Sequence, residues 1–341
     1  MWRYLILVTL CLLLIGLGTL AFLSVREQNL PNKDKSVIIS PFSNLRAEKL
    51  EPRRLAEIYP LGNPINILLM GIDRRSKAEF GYRTDIMILL SINPQANQVV
   101  LTSIPRDLWY DGGKINGLFL GSGWESMKTA VLNVTGYTPQ RYIITDFEDF
   151  SWIVDALGGV PVEVATSFTD TGYPIDATLE YQTVSFIQGR ELLTGERALI
   201  YARSRKGDNG EGSDWARMRR QHKILTGMLS AIIQPGSLFN PMVVENAFKM
   251  VTTGRMETNL KLEDARYLWD FYQDKDKYNI HSLFLDYDYL YSPPPEEYGG
   301  AWTIVPLDGN YRTFQSAVRD SLNGTVNKSL PNSTPADQIN L

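Results

Sequence analysis

Residues 65–73 read INILLMGID, and this stretch decides the fold class. Its aliphatic run is short and ends at Gly71, and an acidic residue, Asp73, lies two positions further on. A short apolar run closed by glycine is typical of a buried strand. We therefore predict a strand at residues 65–70 of a sheet, with Asp73 just beyond its end.

Further strands and helices follow this first strand. Apolar runs at residues 85–92 and 99–104 end at Asn93-Pro94 and Pro105, and the Asn-Pro turn predicts a hairpin between them. The remaining elements predicted up to residue 233 are a strand at 142–145 and helices at 124–132 (capped by Ser122), 147–157, 196–200 and 214–233. Strands that alternate with helices predict an α/β fold, a layered α/β/α domain with a central mixed sheet.

The N-terminal end of the chain has a different texture. Residues 4–23 carry no charge, and a helix of that length crosses the hydrocarbon core of a bilayer. The alternative is a cleaved signal peptide, whose apolar region usually runs only about 7–15 residues. We predict an N-terminal transmembrane helix in a single-pass protein of the cell membrane, with the following domain outside the cytoplasm.

Four regions are predicted along the chain. Residues 1–25 form the cytoplasmic N-terminus and the anchor, and the polar, proline-containing residues 26–62 form a stalk. Residues 63–322 form one folded domain, and its charged motifs lie within 64–233. Residues 323–341 have no apolar periodicity and are predicted to be a disordered tail.

Composition excludes several classes of chemistry. The net charge of -4 argues against a general nucleic-acid binder, which needs a broad basic face. The single cysteine, Cys11, lies in the apolar run, so the domain has no thiol chemistry. With only two histidines, a histidine-rich metal site is excluded. We predict that His222, in an arginine-rich helix, is a solvated side chain rather than a general base.

Charged side chains stand at the ends of the predicted strands. Asp73 follows the first strand, Asp85 opens the second, and Arg106-Asp107 follows the third. Ligands of open α/β sheets bind at such loops, and two carboxylates there would hold one hard cation such as Mg²⁺. Alternatively, each carboxylate caps a turn or pairs with a neighbouring arginine. The spacing leaves both interpretations open.

Arginines are concentrated in two segments, residues 201–206 and the helix predicted at 214–233. The side chains concerned are Arg203, Arg205, Arg217, Arg220 and Gln221. The first two share one side if their segment is extended, and the last three share a helix face. Guanidinium groups bind phosphate bidentately, so their convergence predicts a phosphate site. A solvated basic face, or contact with anionic lipid headgroups, is the alternative.

A series of short motifs occurs in a fixed order over residues 64–233. They are NILLMGID (66–73), RTD (83–85), SINP (91–94), SIPRD (103–107), KIN (114–116), DF (146–147), VDALGGV (154–160), LTGERAL (193–199), YARSRK (201–206) and DWARMRRQ (214–221). No single motif is diagnostic, but the set is specific. Together they resemble the LytR–CpsA–Psr family.

The resemblance implies a phosphotransferase. It would move a glycopolymer from a polyprenyl-pyrophosphate carrier to a peptidoglycan hydroxyl and release polyprenyl phosphate, so its partners are the lipid-linked glycopolymer, peptidoglycan and membrane lipid. Mg²⁺, or Mn²⁺, would be held by Asp73 and Asp85. The catalytic residues implied are Asp73, Asp85, Arg106, Arg203 and Arg217, and the substrate-binding residues are Arg83, Asp107, Lys114, Arg205, Arg220 and Gln221. The alternatives are a non-catalytic binder of lipid pyrophosphate or anionic wall polymer, and a lipid pyrophosphate hydrolase.

Overall fold

The computed structural model describes residues 64–72, 74, 82–175, 180–233 and 274–325, together with 245, 246, 249, 253, 256–261, 264, 268 and 271. All of them fall in the unit Leu61–Leu341. The predicted anchor and stalk, the tail beyond residue 325 and Asp73 lie outside the described residues. Within the described ranges, every helix is too short or too polar to cross a bilayer.

The described elements follow one another in mixed α/β order. They are β1 (Ile65–Ile72), β2 (Thr84–Asn93), β3 (Gln98–Ser103), β4 (Trp109–Tyr110), β5 (Gly113–Lys114), α1 (Leu118–Thr135), β6 (Arg141–Asp146), α2 (Phe147–Ala156), β7 (Val160–Val164), β8 (Phe168–Pro174), β9 (Tyr181–Phe186), β10 (Gly189–Leu193), α3 (Gly195–Arg203), α4 (Asp214–Ile233), β11 (Glu257–Thr258), β12 (Asn279–Phe284), β13 (Leu290–Tyr291), β14 (Val305–Pro306) and α5 (Arg312–Leu322). Short 3₁₀ helices lie at Ile115–Gly117, Lys275–Lys277 and Pro295–Tyr298.

Six strands form one sheet in the order β11-β6-β1-β2-β3-β12. The β1–β2 and β2–β3 pairs are antiparallel, as the hairpin prediction requires. The β1–β6 and β3–β12 pairs are parallel. The predicted central mixed sheet is therefore confirmed.

The strand register brings several strand ends to one edge of this sheet. Ile72, at the end of β1, lies opposite Thr84 at the start of β2 and opposite Asp146 at the end of β6. Ser103, at the end of β3, lies opposite Phe284 at the end of β12. Residues that follow β1, β3 and β6 therefore emerge beside the start of β2. We call this the site edge.

One face of the sheet packs against α1 and α5. Alternate residues of the central strands point to this face, as the two-residue period of a strand requires. The buried cluster includes Leu68, Met70, Met87, Leu89 and Val100 from the strands, and Val131, Val134, Phe314 and Val318 from the two helices. Burial of such side chains is the main force that holds the sheet together.

The opposite face of the sheet meets α4, where Ser103 Oγ lies 2.8 Å from Nδ1 of His222. A second buried cluster joins α4 to β7, β8, β9, β10 and α3, with Val160, Phe168, Phe186, Tyr201 and Ile224 among its members. α4 contacts both the sheet and the second cluster. These contacts hold its arginine-bearing N-terminal turns against the end of β3.

Two local predictions differ from the structure. The first helix of the domain begins at Leu118, earlier than predicted, and Gly123 interrupts it with a φ of 75°, a value that favours glycine. Arg203 is the last residue of α3, so segment 201–206 is not extended throughout. Tyr201 and Ala202 are buried in the second cluster, and this packing selects the helix.

Candidate active site

A solvent-open cavity lies at the site edge. The start of β2, the loop after β3, the first two turns of α4 and the segment before β14 form its walls. Its charged lining residues are Asp85, Arg106, Asp107, Asp214 and Arg217, and its other lining residues include Ser103, Trp215, Met218, Gln221 and Trp302. Two cations and three carboxylates therefore surround one cavity.

Arg106 is held between two carboxylates. Its Nη1 lies 2.7 Å from Oδ2 of Asp85, and its Nε lies 3.3 Å from Oδ2 of Asp107. Burial lowers the pKa of Arg106, but the neighbouring carboxylates outweigh burial and raise it above its ordinary value. The guanidinium is therefore permanently charged and fixed in position. Arg106 therefore forms salt bridges and lines the cavity at the same time.

The two carboxylate oxygens of Asp107 are both engaged. Lys114 Nζ lies 2.6 Å from Oδ1, while Arg106 occupies Oδ2. Antiparallel pairing of β4 with β5 sets Lys114 opposite Trp109, which brings the ammonium group back to the loop after β3. The predicted substrate-binding residues Asp107 and Lys114 therefore lie together beside Arg106.

The start of α4 contributes a second cluster of charged side chains, centred on Asp214. Asp214 lies 3.2 Å from Nη2 of Arg217 and 3.0 Å from Nη2 of Arg205. Burial lowers the pKa of Arg217 to about 10, although Asp214 opposes this shift. Burial raises the pKa of Asp214, but Arg217 and Arg205 lower it overall, so the carboxylate stays ionised. Asp214 was not among the site residues predicted from the sequence.

Arg217 and Arg106 act on each other electrostatically. The charge of Arg106 lowers the pKa of Arg217, and that of Asp85 raises it. The Nε atom of Arg217 is buried and has no hydrogen-bond partner among the described residues. An unsatisfied buried donor on a cation is costly, and a bound anion is the group that would relieve it. The structure thus brings together seven of the predicted residues: Asp85, Arg106, Asp107, Lys114, Arg205, Arg217 and Gln221.

Arg220 has a different role from the one predicted. Its side chain is only 2% exposed and does not line the cavity. Its Nε donates to the carbonyl of Tyr201, Nη2 donates to the carbonyl of Ser204, and Nη1 binds Glu211. With its donors used in this way, Arg220 fastens the loop between α3 and α4 rather than binding substrate.

A buried carboxylate of β8, Asp170, holds the turn after α3. It accepts hydrogen bonds from the Ser204 hydroxyl at 2.6 Å and from the backbone N–H groups of Arg205 and Lys206 at 3.1 Å. Burial raises the pKa of Asp170, yet these hydrogen bonds lower it overall. No motif in the sequence identified Asp170, because the turn that it holds lies more than 30 residues away.

Arg203 lies at another part of the site edge. Its guanidinium carbon is 4.7 Å from the ring centre of Phe147, the residue that follows β6. Arg74, after β1, donates to Asp146 at 2.9 Å in the same region. Arg203 does not line the cavity, and Arg83, just before β2, is exposed to solvent. Gln221 does line it and donates to the carbonyl of Ala202 at 3.2 Å.

His222 is not solvated, and that prediction is wrong. The side chain is 2% exposed, contacts the ring of Phe284, and lies within hydrogen-bond distance of the Ser103 hydroxyl. Burial lowers its pKa to about 3, so the imidazole is neutral at ordinary pH. Met218 and Leu225 lie on the same helix face at spacings of four and three residues, which is the signal that predicts burial.

The carboxylates of the site fit a hard cation in part. Asp85 is partly exposed in the cavity and uses Oδ2 for Arg106, with Oδ1 unpaired among the described residues. Across the same part of the chain, no three histidine, cysteine, aspartate or glutamate side chains cluster as ready-made metal ligands. Mg²⁺ is usually held by one or two carboxylates, substrate phosphates and water, so one available oxygen suits that mode.

Comparison with known proteins decides the family. The sequence profile of the LytR–CpsA–Psr family matches residues 43–316, well over half of the chain. The chain belongs to the LytR–CpsA–Psr family. The sequence prediction of this family is confirmed, and the match extends beyond the motif region on both sides.

Curated members of the LytR–CpsA–Psr family align with most of the chain. The polyisoprenyl-teichoic acid–peptidoglycan teichoic acid transferase TagU of Halalkalibacterium halodurans is 30% identical over 245 residues, which are 70% of this chain and 74% of TagU. The corresponding transferase TagV of Bacillus subtilis is 28% identical over 266 residues, which are 75% of this chain and 63% of TagV. The aligned region therefore spans about two thirds to three quarters of these relatives.

Solved structures share the fold of this family member. The crystal structure of B. subtilis TagV has a TM-score of 0.56 at 23% identity and covers 77% of this chain and 98% of TagV. Protein gbs0355 from Streptococcus agalactiae has a TM-score of 0.59 at 21% identity and covers 83% and 94% of the two chains. The mixed α/β architecture around a central sheet is common to them.

Proposed function

We propose that this LytR–CpsA–Psr protein transfers a glycopolymer from a polyprenyl-pyrophosphate lipid to a hydroxyl group of peptidoglycan. The observation that carries the proposal is the convergence of Arg106 and Arg217 on one cavity. The names of the curated relatives, teichoic acid–peptidoglycan transferases, point to the same reaction class. Loose phosphoryl-transfer transition states are stabilised mainly by positioned charge, which this cavity supplies without histidine or cysteine.

The proposed reaction is a displacement at phosphorus. The acceptor hydroxyl oxygen bonds to the phosphorus that carries the glycopolymer, and the bond from that phosphorus to the bridging oxygen breaks. Polyprenyl phosphate leaves with the bridging oxygen, and the hydroxyl proton is lost to base. Arg106 and Arg217 bind the phosphate oxygens and stabilise the charge that grows on the leaving group. Asp214 orients Arg217 and Arg205 for this purpose.

The proposed role of Arg203 is at the β6 side of the site edge. Stacking on Phe147 holds its guanidinium beside the strand end that follows Asp146. From this position Arg203 binds a substrate phosphate or a sugar hydroxyl outside the cavity. Arg83, exposed at the start of β2, is proposed to contact the polymer at the cavity mouth.

Asp85, with Asp73, is proposed to hold Mg²⁺ or Mn²⁺. The metal would neutralise charge on the pyrophosphate oxygens, which is the chemistry that hard cations supply to phosphoryl transfer. Asp85 would bind it through the oxygen that Arg106 leaves available. The arginine pair then positions the diphosphate whether or not the acceptor is bound.

The protein is proposed to act at the outer surface of the cell membrane, anchored by residues 4–23. The length of this uncharged run supports the proposal. Protease treatment of intact spheroplasts should digest the domain, whereas alkaline extraction should leave the chain in the membrane. Release into the alkaline supernatant would contradict the anchor.

The function is tested with the full chain in detergent, Mg²⁺, purified sacculi and a polyprenyl-pyrophosphate-linked oligosaccharide whose sugar-side phosphate carries ³²P. Transferase activity places label and sugar on the sacculi and releases polyprenyl phosphate. Free labelled sugar phosphate without labelled sacculi would instead identify a hydrolase. Bound but unchanged substrate would identify a binder. Either of the last two results contradicts the proposal.

A further inference from the structure

Trp302 is a half-exposed aromatic residue on the wall of the cavity. Its side chain is 45% exposed, although its neighbours Thr303 and Ile304 are almost fully buried. Single exposed apolar residues are ordinary on protein surfaces, but this one lines the cavity that holds Arg106 and Arg217. Its ring is therefore available to whatever the arginines bind.

The backbone beside Trp302 is firmly fixed to the loop after β3. Thr303 Oγ1 donates to the carbonyl of Asp107 at 2.8 Å, and the Ile304 N–H donates to the same carbonyl at 3.2 Å. The Trp109 N–H in turn donates to the carbonyl of Ile304 at 2.9 Å. A large rigid ring on a fixed backbone loses little conformational entropy when a ligand binds.

Polar groups lie beside the ring and continue to the arginines. Lys114 Nζ is 5.8 Å from the centre of the Trp302 ring, within the range of a cation–π contact. The same ammonium binds Asp107, which binds Arg106. An ammonium donates up to three hydrogen bonds, and carboxylate oxygens accept more than one each, so both groups can also bind hydroxyls.

We propose that Trp302, Asp107 and Lys114 form a saccharide subsite next to the phosphate-binding arginines. The polarised C–H groups of a pyranose face suit the negative face of an indole ring, and the charged pair suits its hydroxyls. This inference rests on the proposed function, because a sugar directly bonded to a phosphate on Arg106 and Arg217 must lie beside them. The occupant is a pyranose, from the donor polymer or from the acceptor glycan.

The test measures binding and transfer with the full chain in detergent. Dissociation constants are compared for geranyl pyrophosphate and for the same lipid carrying one N-acetylglucosamine, and KM is measured for a peptidoglycan oligosaccharide acceptor. The variants are Trp302→Ala, Trp302→Tyr, and Tyr181→Ala as a control exposed aromatic outside the cavity lining.

The subsite predicts that Trp302→Ala weakens one sugar-bearing ligand by about five- to tenfold, the worth of one aromatic contact. Binding of the sugar-free lipid should not change, and Trp302→Tyr should restore most of the loss. Weaker binding of the sugar-bearing lipid alone identifies the donor as the source of the pyranose, and a higher KM for the acceptor alone identifies the acceptor. Either result supports the subsite. Equal weakening of both lipids, or an unchanged KM together with unchanged binding of both lipids, overturns it.

Failure of the subsite and failure of the proposed function give different results. Wild-type protein that binds neither pyrophosphate lipid refutes the proposed function itself. Wild-type protein that binds both, with no effect of Trp302→Ala on any ligand, refutes the saccharide subsite alone. The Tyr181→Ala control should match wild type throughout, and a loss equal to that of Trp302→Ala would mean that the effect is not local to the cavity.

Discussion

Replacement of Arg106 by alanine is the sharpest test of the cavity. The substitution removes one of two cavity guanidinium groups and leaves the carboxylates of Asp85 and Asp107 without that partner. A positioned donor to developing charge contributes about 10²–10³ in rate, and arginines in phosphoryl transfer contribute about 10³–10⁵. We expect kcat/KM for transfer to fall about 10³-fold, or about 4 kcal/mol of transition-state stabilisation.

The effect of Arg106→Ala on stability should be much smaller. The Asp85 side chain is 19% exposed in an open cavity, so water can replace the lost guanidinium. Asp107 keeps its contact with Lys114. We expect the free energy of unfolding to fall by only about 1–2 kcal/mol. The variant should therefore remain folded at the assay temperature.

Activity is measured by the ³²P transfer assay, and folding by urea denaturation. Arg106→Lys keeps the charge but not the bidentate fork, and an intermediate loss of about tenfold or more is expected. Arg319→Ala, at a 60% exposed position of α5, is the matched control. If Arg106→Ala keeps transfer within a few-fold of the Arg319→Ala rate, the assignment of the phosphate site is refuted.

Three further predictions concern stability and the metal. Arg220→Met strands the Glu211 carboxylate and should lower the free energy of unfolding by about 3–5 kcal/mol in urea; a change no larger than that of Arg219→Met, an exposed neighbour, would contradict the role of Arg220. Burial depresses the pKa of His222 from 6.5 to about 3, so the unfolded chain binds a proton that the folded chain does not. The free energy of unfolding should then fall by about 1.4 kcal/mol per pH unit as pH drops from 6.5 towards 3, and the same slope in His222→Asn would refute this. EDTA should abolish transfer and Mg²⁺ or Mn²⁺ restore it, whereas Asp85→Asn should raise the Mg²⁺ concentration needed; full activity in EDTA would exclude the metal.

The strands of the central sheet were predictable because their signals are local. The run at 65–70 and the runs closed by Asn93-Pro94 and Pro105 are apolar, short and sharply bounded. Each became a strand of the sheet. Strand ends meet at one edge, and this brings Asp85 and Arg106 together, which the sequence left as one of two open interpretations. The signal for each strand lies within its own short run of residues.

The roles of the arginines were harder to predict. Arg220 and Gln221 differ by about 100° around a helix axis, and spacing from Arg217 alone places both on a shared face. The actual rotation of α4 turns Gln221 to the cavity and buries Arg220 under the loop. Packing of α4 against β3 and the second cluster decides that rotation. The apolar spacing along α4 marks the buried face, but it does not tell which flanking polar side chain reaches the cavity.

Long-range contacts were outside the reach of sequence patterns. Trp302 reaches the cavity because Thr303 binds the carbonyl of Asp107, 196 residues earlier in the chain. Asp170 is similarly separated from the turn that it holds. Neither residue belongs to a motif. Such contacts are formed by the folded topology, so only the structure reveals them.

The late position of β12 in the chain has a consequence for biosynthesis. Phe284 pairs with Ser103, so 181 residues (284 − 103) must be synthesised before β3 gains this neighbour. Until then β3 presents an open strand edge, which is prone to mispairing with other chains. A chain terminated before residue 302 keeps every arginine of the motifs, yet it lacks the wall of the cavity that Trp302 and Ile304 form.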